Sequence, residues 1–325
     1  MSRKSLCLLS LAALGLVVIY RSTGGDFDWR LFFASLWNVQ PAWIGLSILM
    51  TFPTYVFRAL RWQVLLNPLK RIRLGPLISA NLIGFAAIFL LGRPGELVRP
   101  IWITRMEQVP LTASLATIIV ERFLDTLMII VLFGWALLLL TLPAEASASL
   151  ELMKRTAWIM VISSIGVIIV LFFFRSNIDR IVGLIPFARV ASLLRSFSEG
   201  LSFLQDSRSL ALILAHSVAV WIVIVIQFWF MLLGMHFQFS VSAATLVMVG
   251  AAIGSIAQIP GVGGGFQAGY VFCLTTFFSV LPEKAIATSL VAWFSSTVPT
   301  VAVASLYMIS RGLSLKDLKT VTATE

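Results

Sequence analysis

Apolar runs close to the length of a bilayer crossing follow one another along almost the whole chain, separated by short polar or basic segments. The first run is residues 6–20, behind Arg3 and Lys4. It has no small-residue cleavage site and Arg21 follows it directly, so it reads as an uncleaved helix rather than a signal peptide. Residues 21–40 read as a loop or interfacial helix carrying Trp29, Phe32 and Trp37 as interface anchors. A second run, 42–57, ends in Arg58-Ala59-Leu60-Arg61-Trp62 and then Lys70-Arg71-Ile72-Arg73. Further runs cover 74–91, 111–142, 157–174, 210–233, 243–259, 266–281 and 285–309. The pattern predicts an all-α, polytopic membrane bundle of about six full spans plus two broken or re-entrant helical hairpins, about eight membrane helices in all.

The two hairpins are marked by polar breaks between apolar stretches. The first is Gly92-Arg93-Pro94-Gly95-Glu96-Leu97-Val98-Arg99-Pro100, and the second is Pro260-Gly261-Val262-Gly263-Gly264-Gly265-Phe266-Gln267. Proline stops a helix from running through, and glycine permits the backbone angles of a turn. Broken helices in corresponding positions of two halves point to the binding site of a transporter built from an inverted repeat. The whole chain, 1–325, reads as one transmembrane domain with halves 1–174 and 209–310, a joining segment 175–208 and a tail 311–325. In the joining segment Arg180, Arg189 and Arg195 alternate with Ile181, Leu184, Phe187, Leu193, Leu194 and Phe197, as in amphipathic helices lying on the inner leaflet.

Composition agrees with this picture: 59% of residues are hydrophobic, 12% are charged and mean hydropathy is +0.98, a balance foreign to soluble domains. The formal net charge of +10 belongs with cytoplasmic loops facing anionic headgroups, and nucleic acid is not an expected partner. With both termini in the cytoplasm of a cell (plasma or inner) membrane, the basic segments 58–73, 175–208 and 311–319 all fall inside. Cys7 and Cys273 lie in apolar runs as packing thiols, and His216 and His236 are too few for a histidine metal cluster, so no metal or cofactor is expected.

Three features carry candidate chemistry. In the first break Arg93, Glu96 and Arg99 fall within one or two turns, with Glu96 and Arg99 at i,i+3. In the long run after it, Glu121, Arg122 and Asp125 lie on or beside one helical stripe. A charge at the bilayer centre costs roughly 2.5–3.5 kcal/mol on insertion scales, so such groups need partners or water. This cluster is either an ion-paired packing device or a patch facing a cavity where Arg93, Arg99 or Arg122 meets a phosphate, with Glu96, Glu121 and Asp125 orienting them or titrating. The glycines of the second break, Gly261, Gly263 and Gly264, expose backbone N–H groups that favour an anion, or else make a tight turn. There is no preceding strand and no following Lys-Ser/Thr, so it is not a nucleotide loop. Arg58, Arg61 and Trp62 read as a topology and headgroup anchor at the end of the second span. His216 and Gln227 lie inside an apolar run as packing residues.

Taken in order, Arg58-x-x-Arg61-Trp62, Asn81, Gly92-Arg93-Pro94-Gly95-Glu96-x-x-Arg99, Glu121-Arg122-x-x-Asp125 and Pro260-Gly-x-Gly resemble the flippase-like family related to the lysylphosphatidylglycerol synthase transmembrane region, over residues 30–310. The resemblance implies a membrane domain that moves or accommodates an anionic or modified lipid, and it brings Asn81 and Gln267 among the substrate-binding candidates. Fused members carry a cytosolic aminoacyl-transfer domain for which these 325 residues have no room, so that activity is not expected. One position departs from the family pattern: where a glutamate is usual, this chain has Gln267, which can hydrogen-bond but not ionise.

The leading expectation is a non-enzymatic protein that binds and flips a lipid with a phosphate headgroup, an anionic phospholipid or a polyprenyl-phosphate type, near the bilayer midplane. Two alternatives stand beside it: an accessory subunit of a lipid-modifying enzyme, and a membrane-embedded lipid transferase using Glu96, Glu121 or Asp125, which would lack an evident nucleophile and base.

Overall fold

The computed structural model describes residues 27–140, 206–259 and 263–311, with scattered positions between 158 and 198. The elements, in chain order, are α1 (Trp29–Trp37), α2 (Pro41–Leu66), α3 (Leu74–Leu91), a 3₁₀ turn (Arg93–Leu97), α4 (Val98–Glu107), α5 (Leu111–Leu139), α6 (Ile178–Gly183), α7 (Ser207–Gly234), α8 (Val241–Gly254), a 3₁₀ turn (Ser255–Ala257), β1 (Gln258–Ile259), β2 (Gly263–Gly264), α9 (Gly265–Phe278) and α10 (Pro282–Ser310). The fold is a helical bundle, as the hydropathy predicts. The two short strands form only a two-residue antiparallel ladder at the second break, pairing Gln258 with Gly264 and Ile259 with Gly263.

Four described helices, α2, α5, α7 and α10, are long and apolar enough to cross a bilayer. The expected first span, 6–20, lies outside the described residues, and 157–174 is described only at scattered positions. α8 and α9 have 14 residues each, about 21 Å at the helical rise and short of the ~30 Å hydrocarbon core. Each half therefore reads span, broken hairpin, span: α2, α3–α4, α5, and then α7, α8–α9, α10.

The bundle is apolar outside and keeps its polar groups within an otherwise apolar interior. Leu46 and Leu49 of α2, Leu138 and Leu139 of α5, and Leu306 and Ile309 of α10 are exposed, as lipid-facing positions must be. Hydroxyls, amides and arginines are buried between the helices. α2 and α7 run antiparallel along their length. Gln40 N–H bonds to the Gly234 carbonyl at 2.8 Å, Ser47 Oγ to the Gln227 carbonyl at 2.9 Å, and Arg61 Nη1 to Ser217 Oγ at 3.2 Å. Opposed directions for the leading span of each half are what an inverted repeat calls for.

Local chemistry sets the ends. Gly92 closes α3 at φ 71°, ψ −151°, a conformation open to glycine, and Pro94 blocks continuation. Gly264 takes φ 75° before α9. Asp28 and Asp206 cap α1 and α7 by accepting backbone N–H bonds from residues two and three positions on. The Ser209 hydroxyl, with the Ser209 and Arg208 backbone N–H groups, holds the Asp206 carboxyl below its usual value. The ionised cap therefore stabilises the α7 start at neutral pH and is lost as pH falls through that lowered value. In the joining segment α6 buries Ile178 and Val182 while Asp179 and Arg180 face outward, and Leu184 and Phe187 are exposed, an amphipathic pattern.

The second hairpin is held by small residues. Gly250 and Gly254 of α8 meet Gly269 and Gly265 of α9, an antiparallel pair of Gly-x-x-x-Gly repeats. A Cβ on Gly254 would lie 2.1 Å from the Gly265 carbonyl oxygen, and one on Gly269 would lie 2.0 Å from that of Gly250. Gly254→Val is expected to force α8 and α9 apart and lower the melting temperature of the purified protein, by about 1–3 kcal/mol or more in stability. Gly75→Ala, with nothing within 4 Å of the added carbon, is the control and should melt like wild type.

Candidate functional site

One departure from the sequence reading organises the site. The second span does not end at Phe57. α2 continues to Leu66, and Arg58, Arg61 and Trp62 are buried inside the bundle. This corrects the expected anchor at the membrane surface, because Arg61 and Trp62 have no exposure and Arg58 is turned into the bundle. These cations are tolerated because α5 brings carboxylates to them. Arg58 and Arg61 are three apart on α2, and Glu121 and Asp125 are four apart on α5, so each pair shares a helix face.

Arg61 is the hub. Its Nη1 donates to Asp125 Oδ1 at 2.7 Å and its Nη2 to Glu121 Oε1 at 3.0 Å. The other oxygen of Glu121 accepts from Arg99 Nη1 at 2.8 Å. The other oxygen of Asp125 accepts from Arg58 Nη1 at 3.3 Å and lies 3.1 Å from Arg122 Nη2. All four carboxylate oxygens thus face guanidinium, the charge-assisted geometry that lets ions persist in a low-dielectric interior. Both partners of the most deeply buried pair, Arg61 and Glu121, are 0% exposed.

The first break delivers Arg99 to this cluster. The 3₁₀ turn packs Gly95 so tightly on α3 that an added Cβ would lie 2.4 Å from the Ala87 carbonyl carbon. α4 then starts with Arg99 lying across Gly84, its guanidinium 4.5 Å from the centre of the Trp62 ring. Trp62 is fixed in turn by its Nε1 bond to Thr117 Oγ1 at 2.9 Å. A Cβ on Gly84 would fall 2.0 Å from Arg99 Cγ, so Gly84→Ala is expected to displace Arg99 from Glu121. It should destabilise by about 1–3 kcal/mol, read as an earlier melt; an unchanged melt would mean that Arg99 has room to move. Glu96, Arg99 and Arg122 also border a chamber of about 10 Å³, the space of roughly one water.

Beside the cluster lies a larger cavity of about 290 Å³, between α2, α3, α7 and α10 and bordered at the second break by Ser255 and Phe266. Its polar wall carries Thr51, Thr54 and Tyr55 of α2, Gln227 of α7, and Ser296 and Thr300 of α10. Tyr55 and Thr300 join hydroxyl to hydroxyl at 2.9 Å, and Gln227 Nε2 donates to Thr51 Oγ1 at 2.9 Å. Arg58 is the charged residue on this wall, linking cavity to cluster, with Phe85 5.0 Å from its guanidinium. Among the described residues no group of three His, Cys, Asp or Glu is placed to hold a metal ion.

The family profile described as the lysylphosphatidylglycerol synthase TM region matches residues 7–304, nearly the whole chain. The chain belongs to this family. Together with its long apolar helices, membership makes it an integral membrane protein related to lipid metabolism or transport. No curated protein matches it at a significant level.

In this family member the predicted site residues fall into four groups. Arg99, Glu121, Arg122 and Asp125 come together as ion pairs, and Glu96 borders the same chamber. Arg93 lies in the turn between α3 and α4. Asn81 is buried but folds back on α3, donating to the Leu77 carbonyl at 2.9 Å. At the second break Gly263 and Gly264 are engaged in the β-ladder, Gln267 is half-buried on α9, and Gly261 lies outside the described residues. That break contributes Ser255 and Phe266 to the cavity instead. What the sequence reading missed is the cavity wall. A signal was available: Thr51, Thr54, Tyr55 and Arg58 recur at i, i+3, i+4 and i+7, a polar stripe on an otherwise apolar helix.

Proposed function

We propose that this protein binds an anionic or modified lipid by its phosphate and translocates it across the bilayer, without changing it chemically. The cavity of about 290 Å³ between the two halves is the headgroup site, and Arg58 is its phosphate ligand. The observation that carries the reading is the placement of Arg58. Its guanidinium makes one 3.3 Å contact to Asp125 and otherwise borders a hydroxyl-lined space at the junction of both hairpins. Around it, four described guanidiniums (Arg58, Arg61, Arg99 and Arg122) stand against three carboxylates, Glu96, Glu121 and Asp125. An interior with excess positive charge favours an anionic guest. The acyl or polyprenyl tail would stay in the bilayer, and rocking of one half against the other would alternate access. On this reading the protein works in a cell membrane, with basic segments such as Lys70–Arg73 on the cytoplasmic side.

Reconstitution tests the proposal. Proteoliposomes with tail-labelled phosphatidylglycerol are expected to exchange the lipid between leaflets faster than protein-free vesicles and to return it unaltered. Exchange at the protein-free rate would sink the translocation reading; a chemically changed lipid would favour the membrane-embedded transferase.

A further inference from the structure

Resting on the reading of the cavity as the headgroup site, we infer that it selects phosphodiester lipids whose headgroup is uncharged and rich in hydroxyls, and disfavours headgroups that carry an ammonium group. The first ground is what the wall lacks. Among the described residues that line the cavity, Arg58 is the charged one and no carboxylate joins it. An ammonium taken from water into such a space needs a counter-charge, and a buried unpaired ion costs several kcal/mol. Asp125, the carboxylate in contact with Arg58, already faces Arg58, Arg61 and Arg122. An aminoacylated or ethanolamine headgroup would place its cation beside these arginines, with no acid among the described lining residues to meet it.

Aromatic faces are the other means of holding an ammonium, and here they are engaged. Phe85 has Arg58 at 5.0 Å and Arg99 at 5.9 Å. Phe89 and Trp293 pack on each other at 5.4 Å, and Phe266 lies in a three-ring group with Phe228 and Tyr270.

The second ground is what the wall offers. Two hydroxyls spend their proton on their own helix: Thr54 donates to the Met50 carbonyl at 3.1 Å and Ser296 to the Ala292 carbonyl at 3.0 Å. Each then turns oxygen lone pairs toward its surroundings as an acceptor. Uncharged acceptors suit the O–H donors of a polyol, while Arg58 takes the phosphodiester oxygens. The volume, about 290 Å³, is at the small end for ligand pockets and fits a headgroup rather than acyl chains.

The test compares tail-labelled phosphatidylglycerol, phosphatidylethanolamine and aminoacylated phosphatidylglycerol in proteoliposomes of the full-length protein. Phosphatidylglycerol is expected to exchange at least about tenfold faster than either ammonium lipid, a preference well within the cost of an unpaired buried cation. Thr54→Asp places an acid on the wall and is expected to shift the ratio toward the ammonium lipids while the protein stays folded. Equal rates for all three lipids, or faster exchange of the ammonium lipids, would overturn the selectivity and leave the translocation reading standing. If no lipid moves above the protein-free rate, the translocation reading fails and this inference fails with it.

Discussion

Glu121→Ala is expected to cost the purified protein more stability than any single change outside the cluster, read as a large drop in melting temperature or failure to purify in one dispersed form. Glu121 has no exposure and gives one oxygen to Arg61 and the other to Arg99. Truncation takes the Glu121 carboxylate from the Arg99 guanidinium, which keeps its contacts with the Trp62 and Phe85 faces, and leaves Arg61 with Asp125 and Ser217. It also raises the excess of buried positive charge. Removing one partner of a buried ion pair typically costs about 3–5 kcal/mol, a large part of the margin by which most domains are stable. Glu121→Gln keeps an acceptor for one arginine but presents an amide N–H₂ to the other, so it should melt between alanine and wild type. If Glu121→Ala melts within a degree or two of wild type, the cluster does not hold the bundle together.

Arg58→Gln is expected to separate transport from folding. Arg58 makes the longest contact of the four to the carboxylates, 3.3 Å, and Asp125 keeps Arg61 and Arg122 when it is removed. The melt should therefore stay close to wild type. Exchange of an anionic lipid should fall, because the phosphate loses a charge-assisted hydrogen bond of about 1.5–3 kcal/mol, roughly a ten- to hundredfold loss in rate. Arg58→Lys keeps the charge without the planar fork and should retain an intermediate rate. Wild-type exchange in Arg58→Gln would remove Arg58 from the headgroup site.

The parts of this fold legible in the sequence are those set by neighbours along the chain. α3 ends where Gly92 and Pro94 require it to end, at Leu91. The spans of α5, α7 and α10 follow from apolar length alone. The i,i+4 spacing of Glu121 and Asp125 placed both carboxylates on one face before any partner was known. The end of α2 was misread for a physical reason. Two arginines after an apolar run look like an exit from the membrane, and their carboxylates are more than fifty residues away in sequence. Pairing across that distance is tertiary, and no local rule supplies it. The same holds for the α8–α9 crossing. The Gly-x-x-x-Gly repeats are visible in the chain, but their mutual contact exists only once the break has folded the two helices together.

The claim that a lipid headgroup enters the cavity beside Arg58 is tested most directly by photo-crosslinking. Phosphatidylglycerol with a photoreactive group on its headgroup would be reconstituted with the protein and irradiated, and the adducts located by mass spectrometry. The account predicts adducts on cavity residues such as Thr54, Phe89, Trp293 and Ser296, strongly reduced in Arg58→Gln. Adducts confined to lipid-facing positions such as Leu138, Leu139, Leu306 and Ile309, and unchanged in that variant, would contradict it.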